Sequence, residues 1–127
     1  MTSHSRANCI FHICARAEAV RAMACGEYRA PSLRTEGFIH LSQVHQVRRV
    51  LDAFYAGQSD LVVLVVEPGR VRAPLRYEAP SSLPLSAGAT PPDASQLFPH
   101  VYGPLNTDAV TEVVAVADFF DGFLPAA

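Results

Sequence analysis

The stretch LVVLVV, residues 61–66, decides the fold of this chain. It is an unbroken apolar run with four valines, and β-branched residues favour extended strands over helices. Asp60 and Glu67 flank the run, and Pro68-Gly69 ends it. Because no polar residue interrupts the run, both faces of the strand need cover, which predicts a central, buried strand over residues 60–67. The run is far too short to span a bilayer.

The residues before this strand predict a strand, a helix, a second strand and a second helix. Residues 10–14 (IFHIC) predict a short strand that is buried on both faces. The alanine-rich residues 15–25 predict a helix that Gly26 ends, with Ala19, Val20, Met23 and Ala24 facing the core. Residues 37–41 (GFIHL) predict the next strand, and Ser42 is a good N-cap for the second helix, which we expect to end at Gly57. The apolar stripe of that helix consists of Val44, Val47, Leu51, Phe54 and Tyr55.

The second half of the chain predicts strands around a long loop. Residues 74–78 predict an edge strand that begins with proline, and residues 79–96 predict an exposed loop. The segment FPHVYGPL, residues 98–105, carries too much proline and glycine for the interior of a regular strand or helix, so we expect a rigid, shaped segment. Gly103 would allow a ligand or a neighbouring chain to approach it closely. Residues 110–119 predict a last strand, with a helix as the competing interpretation.

Together these elements predict an α+β fold with about six strands and two main helices in a single domain over residues 9–120. Residues 1–8 are expected to form a flexible N-terminus, and residues 121–127 a C-terminal tail.

Composition excludes several classes of function. Half of the 127 residues are hydrophobic and 17% are charged, which is typical of a globular domain. The formal net charge is −2, so there is no basic surplus for a nucleic-acid partner. The N-terminal residues lack the apolar core of a signal peptide, and we expect a cytoplasmic protein with no membrane partner. The three cysteines form no CxxC pair, which argues against a disulfide framework and a zinc knuckle.

Three of the five histidines occupy positions that are unusual for surface residues. His12 and His40 interrupt apolar strands, and His100 lies in the rigid segment. Because a strand alternates its faces, His12 is expected to share a face with Ile10 and Cys14. A buried imidazole is costly unless it is hydrogen-bonded, so each one alone favours a satisfied core group. The three together favour a shared cleft. There they could hold zinc, act as general acid and base, or orient a nucleotide beside a tyrosine.

Two carboxylates are ambiguous at this level. Glu78 ends a predicted strand, and Glu36 precedes another. Each could cap an edge or polarise a sugar hydroxyl at the mouth of a cleft.

The motifs taken together resemble the bacterial "domain of unknown function 952" family. The matching segments are FHI (11–13), GEYRAPSL (26–33), EGFIHLS (36–42), DLVVL (60–64), LRYE (75–78) and FPHVYGPL (98–105). That family is grouped with the ADP-ribosyltransferase-like fold. The resemblance therefore implies a split, mostly antiparallel sheet pair with a cleft for NAD and no metal.

The resemblance also implies roles for individual residues. His12, His40 and His100 would occupy the three catalytic positions, and His12 would hydrogen-bond the ribose on the nicotinamide side. Tyr28, Ser32, Ser42, Glu78 and Tyr102 would support the bound nucleotide. In classical transferases the third position is a glutamate, whereas this chain has His100, so transfer to a protein acceptor is in doubt and nucleotide binding is not. A non-catalytic nucleotide-sensing domain, a metal-dependent hydrolase with the same histidines and a purely structural domain stay open, as do the acceptor and the oligomeric state.

Overall fold

The computed structural model describes residues 8–79 and 94–122. Most of the predicted flexible N-terminus, loop and C-terminal tail lie outside these residues. The central element is a three-stranded antiparallel sheet in which β4 (Leu61–Val66) lies between β1 (Ile10–Ala15) and β8 (Val110–Ala115). All residues of β4 are buried. The prediction of a central strand covered on both faces is confirmed.

Alternation along β1 and β4 divides the core of this first sheet into two clusters. One face carries Ile10 and Cys14 of β1 together with Val62, Leu64 and Val66 of β4. The other face carries Phe11, Ile13, Leu61, Val63 and Val65, which pack with Val47 and Phe119 from two helices. His12 lies between Ile10 and Cys14, so its side chain enters the first cluster. The fold therefore places an imidazole inside an apolar face.

Two smaller sheets pack near that face. The second sheet pairs β2 (Glu27–Tyr28) with β7 (Leu105–Asn106). The third sheet has the order β3 (Ile39–His40), β6 (Phe98–Val101) and β5 (Leu75–Glu78). Every strand pairing in the described part of the chain is antiparallel. The result is a mixed α+β fold in one small domain, with few helices.

Four α-helices surround the sheets within residues 8–79 and 94–122: α1 (Arg16–Cys25), α2 (Pro31–Thr35), α3 (Val47–Phe54) and α4 (Val116–Gly122). None of these helices is long and apolar enough to cross a membrane. Gly26 ends α1 in the left-handed conformation, with a φ of 95°, as predicted. The predicted interval 110–119 contains both competing structures, because β8 runs directly into α4.

The apolar stripe predicted for α1 is only partly buried, because Ala19 is buried whereas Ala24 is exposed. The helix buries Ala19 and Ala22, whereas Val20 is 63% exposed and Met23 is also exposed. At about 100° per residue, Ala22 lies about 100° from Met23 and about 160° from Val20 around the helix, so a helix that buries Ala22 turns these two larger side chains away. The small side chains let the helix approach the sheets closely, and the larger ones face solvent.

Two details of the second predicted helix are also corrected. Ser42 is not its N-cap, because the backbone N–H and C=O of Ser42 pair with Phe11 and join the first sheet to the third. Gln43 caps a 3₁₀ turn through a reciprocal pair with Gln46, and α3 follows that turn. The helix ends at Phe54, which is exposed, instead of continuing to Gly57.

The segment FPHVYGPL begins as a strand in the middle of the third sheet, which its prolines made unexpected. The carbonyl of Pro99 accepts a hydrogen bond from Leu41 N–H at 2.9 Å. Proline has no N–H to donate. At Pro99 an N–H would point to the same side as this carbonyl, toward a position just beyond the end of β3, so its absence removes no hydrogen bond between the named strands. The close approach predicted at Gly103 is made by the chain itself, since a Cβ there would lie 2.9 Å from the Cβ of Ala73.

We predict that Gly103→Ala lowers the free energy of unfolding by about 1–3 kcal/mol, because the added methyl group overpacks this contact. Urea denaturation measures the change. Gly69→Ala is the matched control, since a methyl group added there would meet nothing within 4 Å and its φ is not left-handed. Adding Ala73→Gly should restore stability. Equal stability of Gly103→Ala and Gly69→Ala would contradict the prediction.

Candidate functional site

Most of the predicted site residues line one cleft of about 550 Å³. Its walls come mainly from β1, β3, β6, α2 and α3. The predicted residues that line it are His12, Tyr28, Ser32, His40, Ser42 and His100. As far as the described residues form the lining, Glu78 and Tyr102 are not part of it. The structure thus brings six of the eight residues to one cavity and places the other two behind His100.

His12 is fully engaged with protein atoms. Its Nδ1 lies 2.6 Å from the backbone carbonyl oxygen of His40, and its Nε2 lies 2.8 Å from the hydroxyl oxygen of Tyr28. A carbonyl can only accept, so Nδ1 carries the hydrogen, and Nε2 of the neutral ring accepts from Tyr28. Burial lowers the pKa of His12 from 6.5 to about 4. At neutral pH His12 is therefore an uncharged ring of fixed tautomer.

Tyr28 and Cys14 form the wall beside His12. Burial raises the pKa of the Tyr28 hydroxyl well above its ordinary range, and the neighbouring Cys14 and Glu18 raise it further. Burial also raises the pKa of the Cys14 thiol to about 12. Both groups keep their protons at neutral pH. Cys14 is consequently a buried thiol with none of the thiolate character that a nucleophile requires.

His40 and Glu36 form an exposed pair at the cleft. His40 Nε2 lies 3.0 Å from Glu36 Oε2, and both side chains are more than 40% exposed. The ring of His40 lies edge-on to that of His100 with centroids 5.3 Å apart, because the two residues are directly opposite each other in the β3–β6 ladder. Solvent screening makes the Glu36–His40 pair weak and adjustable.

His100 and Glu78 form a second pair, in which the His100 ring is buried and the Glu78 side chain is 35% exposed. His100 Nδ1 lies 2.7 Å from Glu78 Oε1, and the Tyr102 hydroxyl donates to the same oxygen at 2.5 Å. The His100 side chain is 2% exposed and stacks on Phe38 with ring centroids 4.2 Å apart. Burial lowers the pKa of His100, although the hydrogen bond to Glu78 opposes that shift. Hydrogen bonds from Tyr102 and then His100 lower the pKa of Glu78.

The two predicted serines differ in what they offer a ligand. Ser32 Oγ donates to the backbone carbonyl of Phe38 at 2.8 Å, so its proton is used and its oxygen can accept. Ser42 uses its backbone to join β1, and its side chain lines the cleft. Both serines therefore shape the wall as well as offering an oxygen.

The sequence indicated only one of the two acidic residues that line the cleft. Glu18 and Glu36 line the cleft, and among the described residues no arginine does. Glu36 was ambiguous in the sequence, and Glu18 was missed. A signal for Glu18 existed, because it lies in the first turn of the helix that directly follows the His12 strand.

The donor set does not suit the three-histidine zinc site that the sequence left open. Both ring nitrogens of His12 are occupied by protein partners. In residues 8–79 and 94–122, no group of three or more His, Cys, Asp or Glu side chains is placed to hold a metal ion. A zinc site at these histidines would require the hydrogen bonds of His12 to break first.

We predict that His12 makes stability depend on pH between about 6.5 and 4. Its pKa is lower in the folded state, so the unfolded chain binds more protons in this window and the free energy of unfolding falls as pH falls. The full effect amounts to about 3 kcal/mol, and His100 adds to it in the same direction. Urea unfolding at several pH values, with NMR titration of His12, measures both quantities. A His12 midpoint near 6.5 would contradict the buried neutral ring.

We also predict that Tyr28→Phe destabilises the fold by about 1–3 kcal/mol, because it leaves the buried Nε2 of His12 without a donor. Tyr77→Phe is the matched control. Tyr77 is exposed, and its hydroxyl has no hydrogen-bond partner among the described residues, so removing it should change stability by less than about 0.5 kcal/mol. Thermal unfolding of both variants decides the matter, and equal losses would refute the assigned role of Tyr28.

Comparison with known proteins identifies one family and three solved structures that resemble this chain. The family described as "Protein of unknown function (DUF952)" matches residues 13–113. The crystal structure of protein CC0527 from Caulobacter crescentus is 32% identical over 84% of each chain, with a TM-score of 0.67, and a double mutant of CC0527 gives the same values.

The solution NMR structure of CC0527 is 28% identical and covers 92% of this chain and 97% of that one, with a TM-score of 0.65. No curated protein matches the chain. The resemblance carried by the sequence motifs is thus confirmed at the level of the family. Because the family match spans most of its residues, the chain belongs to the DUF952 family of proteins of unknown function.

Proposed function

We propose that the cleft binds a nucleotide of the NAD or ADP-ribose type and that the chain is an ADP-ribosyltransferase-like protein. One observation carries this proposal: six of the residues that the resemblance assigns to the nucleotide line a single cleft. They come from separate segments of the chain. The arrangement of the first and third sheets, joined by the Phe11–Ser42 bridge, also suits the split sheet pair that the resemblance implies.

The size and walls of the cleft support a ligand of this kind. A volume of about 550 Å³ lies within the usual range for small-molecule sites. The walls combine apolar side chains, such as Phe11 and Leu41, with a few hydroxyl and imidazole groups. Such a mixture fits an aromatic base attached to a ribose, because the apolar walls cover the ring and the polar groups bind the sugar hydroxyls.

The charge of the lining favours one end of NAD. Glu18 and Glu36 would attract the positively charged nicotinamide ring and repel phosphates. The diphosphate would then lie outside the cleft, near Arg29 and Arg34. These arginines are exposed and flank the lining residues Ala30 to Ser32. We therefore assign the cleft to the nicotinamide–ribose half of the nucleotide.

The roles of the histidines differ from those that the resemblance implies. His12 has no free nitrogen for the ribose, since both are used within the protein. Its role in our proposal is to hold Tyr28 and His40 in place. Direct contacts to the ligand come from His40, His100 and the oxygen of Ser32.

A binding domain without turnover is the second candidate, and the commitment of His12 favours it. A histidine that cannot contact the ribose removes one interaction that the resemblance assigns to catalysis. Release of nicotinamide from NAD distinguishes the two candidates. Binding without release supports the sensing domain, and steady release supports the transferase-like enzyme.

We predict that NAD and nicotinamide bind to the protein and that His40→Ala weakens NAD binding at least about tenfold, which corresponds to about 1.4 kcal/mol. Isothermal titration calorimetry with NAD, ADP-ribose and nicotinamide measures the affinities. ADP-ribose, which lacks the nicotinamide ring, should bind more weakly than NAD. His45→Ala is the matched control, because His45 is an exposed histidine that does not line the cleft. Absence of binding by all three compounds would overturn the proposal.

A further inference from the structure

The hydrogen bond between the buried ring of His100 and the half-buried Glu78 has a defined direction. Glu78 Oε1 receives two hydrogen bonds, one from the Tyr102 hydroxyl and one from His100 Nδ1. These bonds keep Glu78 ionised at neutral pH, because they lower its pKa. An ionised carboxylate has no hydrogen to donate, so the hydrogen between the two residues belongs to Nδ1. In the neutral ring, Nε2 is then left with its lone pair.

The Nε2 atom of His100 is the ring nitrogen that Glu78 leaves free for the cleft. His100 lines the cleft, whereas its Nδ1 partner does not. Within residues 8–79 and 94–122, Nε2 has no hydrogen-bond partner, and no fully buried side-chain nitrogen or oxygen there lacks one. Nε2 is therefore not fully buried, although the side chain as a whole is 2% exposed. An unpartnered acceptor on a buried ring points to a hydrogen-bond donor in the ligand.

We propose that His100 Nε2 is the proton-accepting group of the cleft, with Glu78 and Tyr102 as its positioning residues. His100 would act as a general base toward a water molecule or a ligand hydroxyl. The choice of NAD as ligand rests on the proposed function. The direction of the hydrogen bond from His100 to Glu78 does not depend on it.

The other imidazole–carboxylate pair is less suited to this task. Glu36 and His40 are both more than 40% exposed, so water competes for their hydrogen bond and the ring can reorient. His100 is held on three sides, by Glu78, by the ring of Phe38 and by the β6 backbone. Fixed geometry is what makes a general base effective, because no reorganisation is needed when the proton moves.

With water as the nucleophile and NAD as the ligand, every proton and bonding pair has a destination. The O–H bond of water breaks, and its proton joins the Nε2 lone pair to give an imidazolium that Glu78 stabilises. The water oxygen forms a bond to the anomeric carbon of the ribose. The bond from that carbon to the nicotinamide nitrogen breaks, and nicotinamide leaves as a neutral molecule with the bonding electrons. Solvent finally takes the proton from His100.

The charged and titratable groups around His100 keep it a base at neutral pH. Glu78, on β5, and Glu36, before β3, favour the protonated ring, whereas burial and His40 favour the neutral ring. Arg76 and Tyr102 act on His100 through Glu78, and the guanidinium of Arg76 lies 5.2 Å from the Tyr102 ring centroid. Burial has the largest effect, so the pKa of His100 is lowered. The ring is neutral whenever the pH is above this pKa.

The test is the tautomer of His100 in the ligand-free protein, measured at neutral pH by long-range ¹H–¹⁵N NMR of labelled histidines. We predict hydrogen on Nδ1 and a pyridine-type Nε2, the reverse of the tautomer that free imidazole side chains prefer. Glu78→Ala should shift His100 toward the Nε2–H tautomer, and the matched control Glu36→Ala should not. An Nε2–H tautomer in the wild-type protein would overturn the proposal, whatever the variants do.

A second measurement needs no variant. Diethyl pyrocarbonate acylates neutral imidazole nitrogens that have a free lone pair, and mass spectrometry locates the product. We expect His100 to react at least about tenfold faster than His12, since both are buried but only His100 has a free nitrogen. Comparable rates would contradict the assignment. If NAD does not bind and both results hold, the proposed nucleotide is wrong and the base stands. If NAD binds and the tautomer is reversed, the base alone is wrong.

Discussion

The hydrogen bonds of His12 are the constraint on which this structure depends. An imidazole on a buried face needs hydrogen-bond partners for its two nitrogens, because otherwise its desolvation destabilises the fold without compensation. His12 belongs to the first sheet, its Nδ1 partner His40 to the third, and its Nε2 partner Tyr28 to the second. One side chain therefore joins all three sheets. The cleft lies at this junction, so the position of its walls follows from satisfying one buried polar group.

Burial separates the other two histidines into different chemical roles. His40 and His100 face each other across one ladder and each has a carboxylate partner. The exposed pair can exchange its partners with water at little cost, which suits ligand contact. The pair that contains the buried His100 ring keeps one geometry, because Glu78 is also held by Tyr102. The same residue types in one site thus act as an adaptable contact and as a fixed base.

Much of the fold could be predicted from local patterns. An unbroken apolar run rich in valine indicated a central strand, and Gly26 marked the end of α1, because both signals act through the backbone of neighbouring residues. The burial of α1 could not be predicted from spacing. Val20 is apolar and exposed, while Ala22 is buried, because closeness to the sheets selects small side chains. The two-residue strands β2 and β7 also escaped prediction, since their pairing depends on distant partners.

In the candidate site, too, local features could be predicted from the sequence and distant contacts could not. Alternation within a strand placed His12 on the face of Ile10 and Cys14, which the core clusters agree with. The partners of each histidine could not be read in this way, because Glu78 lies 22 residues from His100 and Tyr28 lies 16 from His12. Those partners decide which ring nitrogen holds the hydrogen. Residue type therefore indicates that an imidazole is present, and only tertiary structure decides whether it offers the cleft a donor, an acceptor or neither.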